Sequence, residues 1–342
     1  MKKLRVMLLV HSDLIPPDEV SGPDDPLLDD CDTEYDVKQA LLTLGHEVRV
    51  VGAYDELAPI RQTLEEWQPD IVFNLLEEFA GRGDFDYYVV SYLEMMGVAY
   101  TGCKPRGLLL ARDKALSKKL LKYHHIRTPE FAVFPRSRAY KRHAHLPYPL
   151  IVKSLTEEGS VGIAQASFVE TEEQLKERIR IIHETTKTDA IAEQYIPGRE
   201  LYVTLLGQTR LQCLPIRELT FDQIQEGAPR MATYKVKWDG KYRERWGINF
   251  QFARNLPEGM SQTIVKTCRR ICRVLDLNGY IRIDLRLAPD GSLYVLEANP
   301  NPGIASYEEA SKSAEKAGIA YPQFIQRIVS LGLGAKHGAG RA

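Results

Sequence analysis

The seven residues Ile281-Arg282-Ile283-Asp284-Leu285-Arg286-Leu287 carry an apolar side chain at each odd position and a charged one at each even position. A β-strand sends alternate side chains to opposite faces, so this pattern describes a strand with one apolar and one charged face. Pro289-Asp290-Gly291 supplies turn chemistry, and Leu293 to Ala298 then runs into Asn299-Pro300-Asn301-Pro302-Gly303. The segment reads as two short strands joined by a turn, with Asp284, Glu297 and Asn299 gathered at one place. Two carboxylates and an amide carbonyl are hard oxygen donors. They suit Mg²⁺, which keeps an octahedral shell and shares it with substrate phosphates. A surface hairpin is the ordinary reading of a lone acid. Here the acids lie between Ile283 and Leu285 and between Leu296 and Ala298. Burying an unpaired carboxylate there is costly without a cation or a donor.

The first hundred residues set a different rhythm. Strand patterns at Arg5 to His11, Glu47 to Gly52 and Asp70 to Asn74 alternate with helical patterns at Glu34 to Leu44, Ile60 to Trp67 and Phe85 to Met96. Such βαβ alternation predicts an α/β unit, an open parallel sheet with helices on both faces and ligands at the carboxyl ends of its strands. Those ends carry His11-Ser12 and Asn74-Leu75-Leu76-Glu77-Glu78. The acidic, proline-broken stretch 16–30 between the first strand and its helix is either a solvated insertion or a substrate-side loop.

Further along, a helix from Asp113 carries Lys114, Lys118, Lys119 and Lys122, and the strand Tyr148 to Lys153 opens a loop containing Gly159-Ser160-Val161-Gly162. A lysine closing an apolar strand needs an anion, and a Gly/Ser loop exposes N–H groups that wrap phosphates, although a surface turn is the default for such a loop alone. Ala190 to Val203 reads as two strands joined through Pro197-Gly198, with Glu193 closing one and Glu200 opening the next. The segment after Lys237-Trp238 reads as a polar loop, followed by a helix at Met260 to Leu275, the charged hairpin, and a helical tail at Tyr321 to Leu331.

With 342 residues, 44% of them hydrophobic, the chain suffices for two or three units with real cores. A net charge of −1 gives no basic surplus to drive nucleic-acid or membrane binding. Lys118-Lys119 and Arg136-Ser137-Arg138 read as solvated faces, and the start Leu4-Arg5-Val6 as a first buried strand in place of a signal peptide. No run approaches the roughly 18 apolar residues of a membrane span. Five cysteines without a Cys-x-x-Cys pair fit a reducing, cytoplasmic setting, with Cys268 and Cys272 as half-buried thiols on a helix.

In order, Lys114, Lys153 with its Gly/Ser loop, Glu193, Glu200, Arg282-x-Asp284 and Glu297-x-Asn299 resemble the ATP-grasp superfamily, and most closely its D-alanine–D-alanine ligases. The resemblance runs from the first strand to about Leu333 and is strongest at Leu296-Glu297-Ala298-Asn299 with Pro302-Gly303, supported by Tyr100-Thr101-Gly102 and Asp113-Lys114. It implies an ATP-grasp fold, α+β in the C-terminal half. The units would be a substrate-side βαβ domain at 1–102, a central subdomain with a phosphate lid at 103–193, a Mg²⁺-bearing subdomain at 194–334 and a tail at 335–342. It also implies ATP and two Mg²⁺ ions as cofactors, amino-acid carboxylate and amine substrates, and a homodimer. Lys114 and Lys153 would contact ATP phosphates beneath a lid holding Ser160. Glu193 and the backbone near Ile196 would hold adenine, Glu200 would hold the ribose, and Lys237, or else Lys235, would reach the terminal phosphate. Asp284, Glu297 and Asn299 would ligate the metals, Arg282 with the Gly303 N–H would hold an oxyanion, and Glu34 would hold the first substrate's ammonium.

The amino-acid side departs from that pattern. Glu77-Glu78 stands where the family has His-Gly, Trp238 where it has Tyr or Phe, and Glu308 where a serine helps bind the second substrate's carboxylate; Glu157-Glu158-Gly159 is one residue off the family's lid sequence. A carboxylate at 308 predicts an acceptor that lacks a carboxylate or carries a positive group. A ligase acting on another amino acid or on a peptide would share the nucleotide motifs. A non-catalytic nucleotide-binding module would be expected to lose one of Arg282, Asp284, Glu297 or Asn299, and all four are present.

Overall fold

The computed structural model describes residues 2–22, 25–141, 143, 146–157, 164–223, 229–233, 235–236 and 239–338, the last three by backbone alone. Three sheets organise them. In the first, β1 (Arg5–His11) lies between β2 (Glu47–Ala53) and β3 (Ile71–Asn74), all parallel. The apolar run of β1 is nearly continuous because both of its faces are covered. Val6, Leu8 and Val10 pack with Val37 and Leu41 of the helix Asp32–Thr43 and with Phe324, Ile325 and Ile328 of the C-terminal helix Tyr321–Gly338. Met7 and Leu9 face the other way, onto Ile60 of the helix Ala58–Glu66 and Val89 and Leu93 of the helix Asp86–Met95. The end of the chain thus completes the core at its beginning.

The second sheet is antiparallel, in the order β4 (Phe131–Phe134), β7 (Ala190–Gln194), β5 (Leu150–Ser154), β6 (Phe168–Val169). Its back is covered by Leu175, Ile179 and Ile182 of the helix Glu172–Thr185, which Thr171 and Gln174 close with a reciprocal capping box. The third sheet runs β11 (Ile248–Phe252), β10 (Arg217–Phe221), β8 (Arg199–Gly207), β12 (Gly279–Leu287), β13 (Leu293–Pro300), with β9 (Gln212–Cys213) also on β8. Ile281, Ile283, Leu285 and Leu287 face Ile264, Cys268, Ile271 and Cys272 of the helix Met260–Val274, so the apolar half of the opening pattern forms a core. Cys268 and Cys272 are fully buried there, beyond the half burial expected of them.

Two expectations need correction. The strands on either side of Pro197-Gly198 do not pair with each other: β7 belongs to the second sheet and β8 to the third. All of β8 after Arg199 is buried, and it satisfies its backbone by pairing with β10 on one edge and β12 on the other. The segment after Trp238 is not a loop but a helix, Gly240–Arg245, and then β11, whose Ile248, Phe250 and Phe252 alternate as a strand requires. A further helix, Glu309–Lys316, had no counterpart in the sequence reading.

Gly198 makes the crossing between sheets. Its φ is +131°, and a Cβ there would stand 2.2 Å from the carbonyl oxygen of Leu287. Gly198→Ala is therefore expected to cost about 2 kcal/mol or more in chemical denaturation, through backbone strain and displacement of the β12 end. A loss below about 0.5 kcal/mol, the range of an ordinary surface change, would show that the crossing does not need glycine.

Candidate active site

The charged face of β12 is extended by its neighbours. In the ladder Arg282 stands opposite Thr204 and Asn299, Asp284 opposite Tyr202 and Glu297, and Arg286 opposite Glu200. Side chains directly opposite share a face, so Glu200, Tyr202, Arg282, Asp284, Arg286, Glu297 and Asn299 all project from one side of the sheet. After Asp284 the register slips: Leu285 pairs with Val295 and leaves Leu296 as an extra residue. This bulge turns the Leu296 carbonyl toward Lys118, whose Nζ donates to it at 2.6 Å.

Each acid on this face is balanced by a cation. Arg282 donates through Nε to Asp284 Oδ1 at 2.8 Å and through Nη2 to Oδ2 at 3.1 Å. Burial works against the Arg282 charge, but Asp284 outweighs it and the pKa is raised. Lys114, in the first turn of the helix Lys114–Tyr123 that Asp113 caps, lies 3.0 Å from Glu297 Oε1 and donates to the Glu157 carbonyl. Arg286 donates to Glu200 Oε2 at 2.7 Å, while the Tyr202 hydroxyl donates to Glu200 Oε1 at 2.7 Å. Asn299 Nδ2 is buried with no hydrogen-bond partner among the described residues.

From the second sheet, Glu193 reaches Lys153 Nζ at 3.2 Å and Lys118 Nζ at 3.4 Å. Burial lowers the pKa of Lys153, but Glu193 and Glu297 more than offset it and the net shift is upward. For Lys118, only 1% exposed, burial wins and the pKa falls to about 8 despite Glu193. Between these two sheets opens a cleft. Lys153, Glu193 and Glu200 line it together with Asp284, Arg286 and Glu297, and the apolar side chains of Ile151, Ile196, Met231 and Leu296 complete it. The lining thus pairs the Lys153 ammonium with apolar side chains, a combination that takes a planar ring joined to an anion.

The predicted residues thus converge, with Lys114 on Glu297 and Arg282 and Asn299 beside the cleft on the same sheet face. Ser160, Lys237 and Trp238 lie outside the described residues. Lys235 stands 5.9 Å from the centre of the Tyr242 ring. Lys118 corrects the reading of Lys118-Lys119 as a solvated pair: Lys119 is exposed but Lys118 is buried in the site. The usable signal was its spacing of four from Lys114, which puts both ammoniums on one helix face. Arg286, also unassigned from sequence, was marked by its place in the charged alternation.

Glu34 and Gly303 lie toward the first sheet. Glu34 is 6% exposed in the first turn of Asp32–Thr43, and burial, with Glu77 nearby, raises its carboxyl pKa to about 7. Gly303 has the Glu308 carboxylate against it: a Cβ on Gly303 would meet both Glu308 oxygens at 2.2 Å. Glu308 accepts from the Ala305 N–H at 3.0 Å, and its pKa is also about 7, raised by burial and by Glu309 and Glu77. Thr101 ties this end to the hairpin side: its hydroxyl accepts from Asn74 N–H, and the next residues meet Asn301, whose Oδ1 accepts from Cys103 N–H at 2.8 Å.

Among known proteins, residues 117–330 match the family described as the D-ala D-ala ligase C-terminus. An uncharacterized protein, y4sG, of Sinorhizobium fredii is 31% identical over 307 residues, covering 86% of this chain and 85% of its own. A D-alanine–D-alanine ligase of Gloeobacter violaceus is 31% identical over 301 residues, covering 87% and 92%. In fold the chain is similar to the D-alanine–D-alanine ligase from Bacillus anthracis complexed with ATP, at a TM-score of 0.76 and 21% identity over 99% of this chain and 100% of that one.

The position of Lys118 generates a pH prediction. Its pKa is depressed to about 8, so its ammonium is present below pH 8 and lost above it. ATP affinity, measured by calorimetry, should fall as pH rises through 8, by at most about tenfold per pH unit for one proton. Lys118→Met should weaken binding at pH 7 and flatten that decline; an unchanged pH profile in the variant would remove Lys118 from the nucleotide site.

Proposed function

The chain belongs to the D-alanine–D-alanine ligase family and is an ATP-dependent ligase, and from that premise we propose that it joins the carboxylate of one small amino-acid substrate to the amine of another through an acylphosphate. The observation that carries this reading is the single sheet face bearing Arg282, Asp284, Glu297 and Asn299, met by buried Lys114 of the helix Lys114–Tyr123 and by the second sheet's Lys153, which is held on Glu193.

A carboxylate is a poor electrophile, and phosphorylation corrects that. One donor oxygen attacks the γ-phosphorus of ATP, the bond to the bridging oxygen breaks, and ADP departs with the electron pair. Lys114 and Lys153 neutralise and align the phosphates, and Lys118 adds an ammonium on the same helix face as Lys114. Glu193 holds Lys118 and Lys153 and sits where adenine would approach, beside Ile196. Glu200, fixed by Tyr202 and Arg286, is the acceptor for ribose hydroxyls. Residues 1–102 would carry the amino-acid side, with 103–193 and 194–334 gripping the nucleotide from two sides.

Mg²⁺ fits the residues present. Asp284 and Glu297 are direct cross-strand neighbours, a like-charged pair that a cation between them relieves, and buried Asn299, whose Nδ2 has no hydrogen-bond partner among the described residues, offers its side-chain carbonyl oxygen as a third ligand. Asp284, Glu297 and Asn299 would hold it, and the bound ions would screen the phosphate charge during transfer. The amine then attacks the acyl carbon, loses a proton, and phosphate leaves. Arg282, with only two of its five N–H groups committed to Asp284, and the Gly303 N–H are the donors for the oxyanion that forms in that step. Free thiols at all five cysteines suit a cytoplasmic enzyme, and the family resemblance supports a homodimer.

The test is ADP and phosphate release with Mg-ATP and an amino-acid panel. Amine-dependent turnover is expected, and Glu297→Gln should lower it by about 10³-fold or more while the protein stays folded. Retained turnover would remove Glu297 from the metal site.

A further inference from the structure

One guanidinium in the cleft joins the start of β8, the crossing between the sheets and the segment 229–233. Arg286 is 4% exposed and lines the cleft. Its Nη2 donates to Glu200 Oε2 at 2.7 Å, and its Nη1 donates to two carbonyls, that of Gly198 at 3.2 Å and that of Arg230 at 3.1 Å. Its guanidinium carbon stands 5.8 Å from the centre of the Tyr195 ring, and the Tyr195 hydroxyl accepts from the Arg230 N–H at 3.2 Å. The backbone of Arg230 is thus held on both sides, by Arg286 from the third sheet and by Tyr195 just past β7. The next two residues, Met231 and Ala232, form part of the cleft wall.

Stability does not account for an arginine at this place. Its Nε is buried with no hydrogen-bond partner among the described residues. An open buried donor costs about 1–3 kcal/mol, and replacing a buried ion pair by apolar side chains of similar size is often neutral. What an apolar side chain lacks is the planar fork, which reaches a carboxylate and two carbonyls at once in fixed directions. That fork orients Glu200, which stands opposite Arg286 in the ladder and takes the Tyr202 hydroxyl on its other oxygen. A carboxylate has about four lone-pair positions, so two donors leave the others open to a ligand.

We propose that Arg286 is a positioning residue that couples ribose recognition to the cleft wall: it aims the open lone pairs of Glu200 into the cleft and fixes residues 229–233 beside them, so that nucleotides with both ribose hydroxyls are selected over deoxynucleotides. Arg286 touches no reacting atom; its role rests on the nucleotide site proposed above, in which Glu200 takes the ribose hydroxyls.

Calorimetry on the full-length protein with Mg²⁺ and ATP, 2′-deoxy-ATP or 3′-deoxy-ATP tests this without turnover. The wild type should bind ATP about tenfold or more tighter than either deoxynucleotide, because a site built to pair with a hydroxyl rejects a ligand that lacks it. Arg286→Met, which keeps an unbranched chain in the gap, should weaken ATP by about tenfold or more and bring the three affinities within about threefold of one another. Arg286→Lys keeps a charge for Glu200 but lacks the fork, so it should retain the preference for ATP while binding all three about threefold more weakly than the wild type. Equal weakening of all three in Arg286→Met, with the preference intact, is what a merely structural role gives and overturns the assignment. Wild-type affinities in Arg286→Lys overturn it too, and that variant decides if Arg286→Met does not fold. Both of these results leave the ligase reading standing. A wild type that binds ATP and the deoxynucleotides equally overturns the ribose role of Glu200 together with this inference, and a wild type that binds no nucleotide overturns the nucleotide site as a whole.

Discussion

Asp284 and Glu297 face each other across a β-ladder on a half-buried sheet, an arrangement that repels unless cations are supplied. The rest of the site follows from that constraint. Arg282 neutralises one acid from two residues away on the same strand, and Lys114 neutralises the other from a helix that the first turn, capped by Asp113, aims at the sheet. In the proposed reaction both cations have a second task, Arg282 on the oxyanion and Lys114 on the phosphates. A metal and a nucleotide bound there as proposed would meet charges that already have partners, and binding would redistribute those partners without creating a buried ion from nothing.

The elements proposed to hold the nucleotide were legible because their residues obey local periodicities. The even positions of 281–287 are charged and the odd ones apolar, and a strand turns that directly into a site face backed by a core. β1 was equally readable from its continuous apolar run. The crossing at Pro197-Gly198 was not, because a Pro-Gly pair between two apolar strands specifies a turn without saying whether the second strand returns to the first. What decided it was long-range pairing of β8 with β10 and β12. Lys118 was misread because an adjacent lysine pair looks solvated, although helix geometry separates its members by about 100° and sends one of them inward. The alternation in β11 was present but short, and lay next to a polar stretch that masked it.

The two ends of the site answer different questions. At the nucleotide end, acids and cations alternate through Glu193, Lys153, Lys118, Glu297 and Lys114, and such a network suits a phosphate chain of fixed chemistry. Toward the first sheet, Glu34 and Glu308 are buried carboxyls whose pKa values are both raised to about 7, chiefly by burial. Family membership accounts for the first end. At the second the sequence departs from the family pattern, at Glu77-Glu78 and Glu308.

On the proposed reading, metal and phosphate meet on the shared face of β12 and β13. Anomalous diffraction from crystals grown with Mn²⁺ and a non-hydrolysable ATP analogue tests it most directly. The account predicts anomalous peaks within coordination distance of Asp284, Glu297 and Asn299, with the phosphates between them and Lys114 and Lys153. Metal bound elsewhere, with Asp284 still on Arg282 and Glu297 still on Lys114, would contradict it.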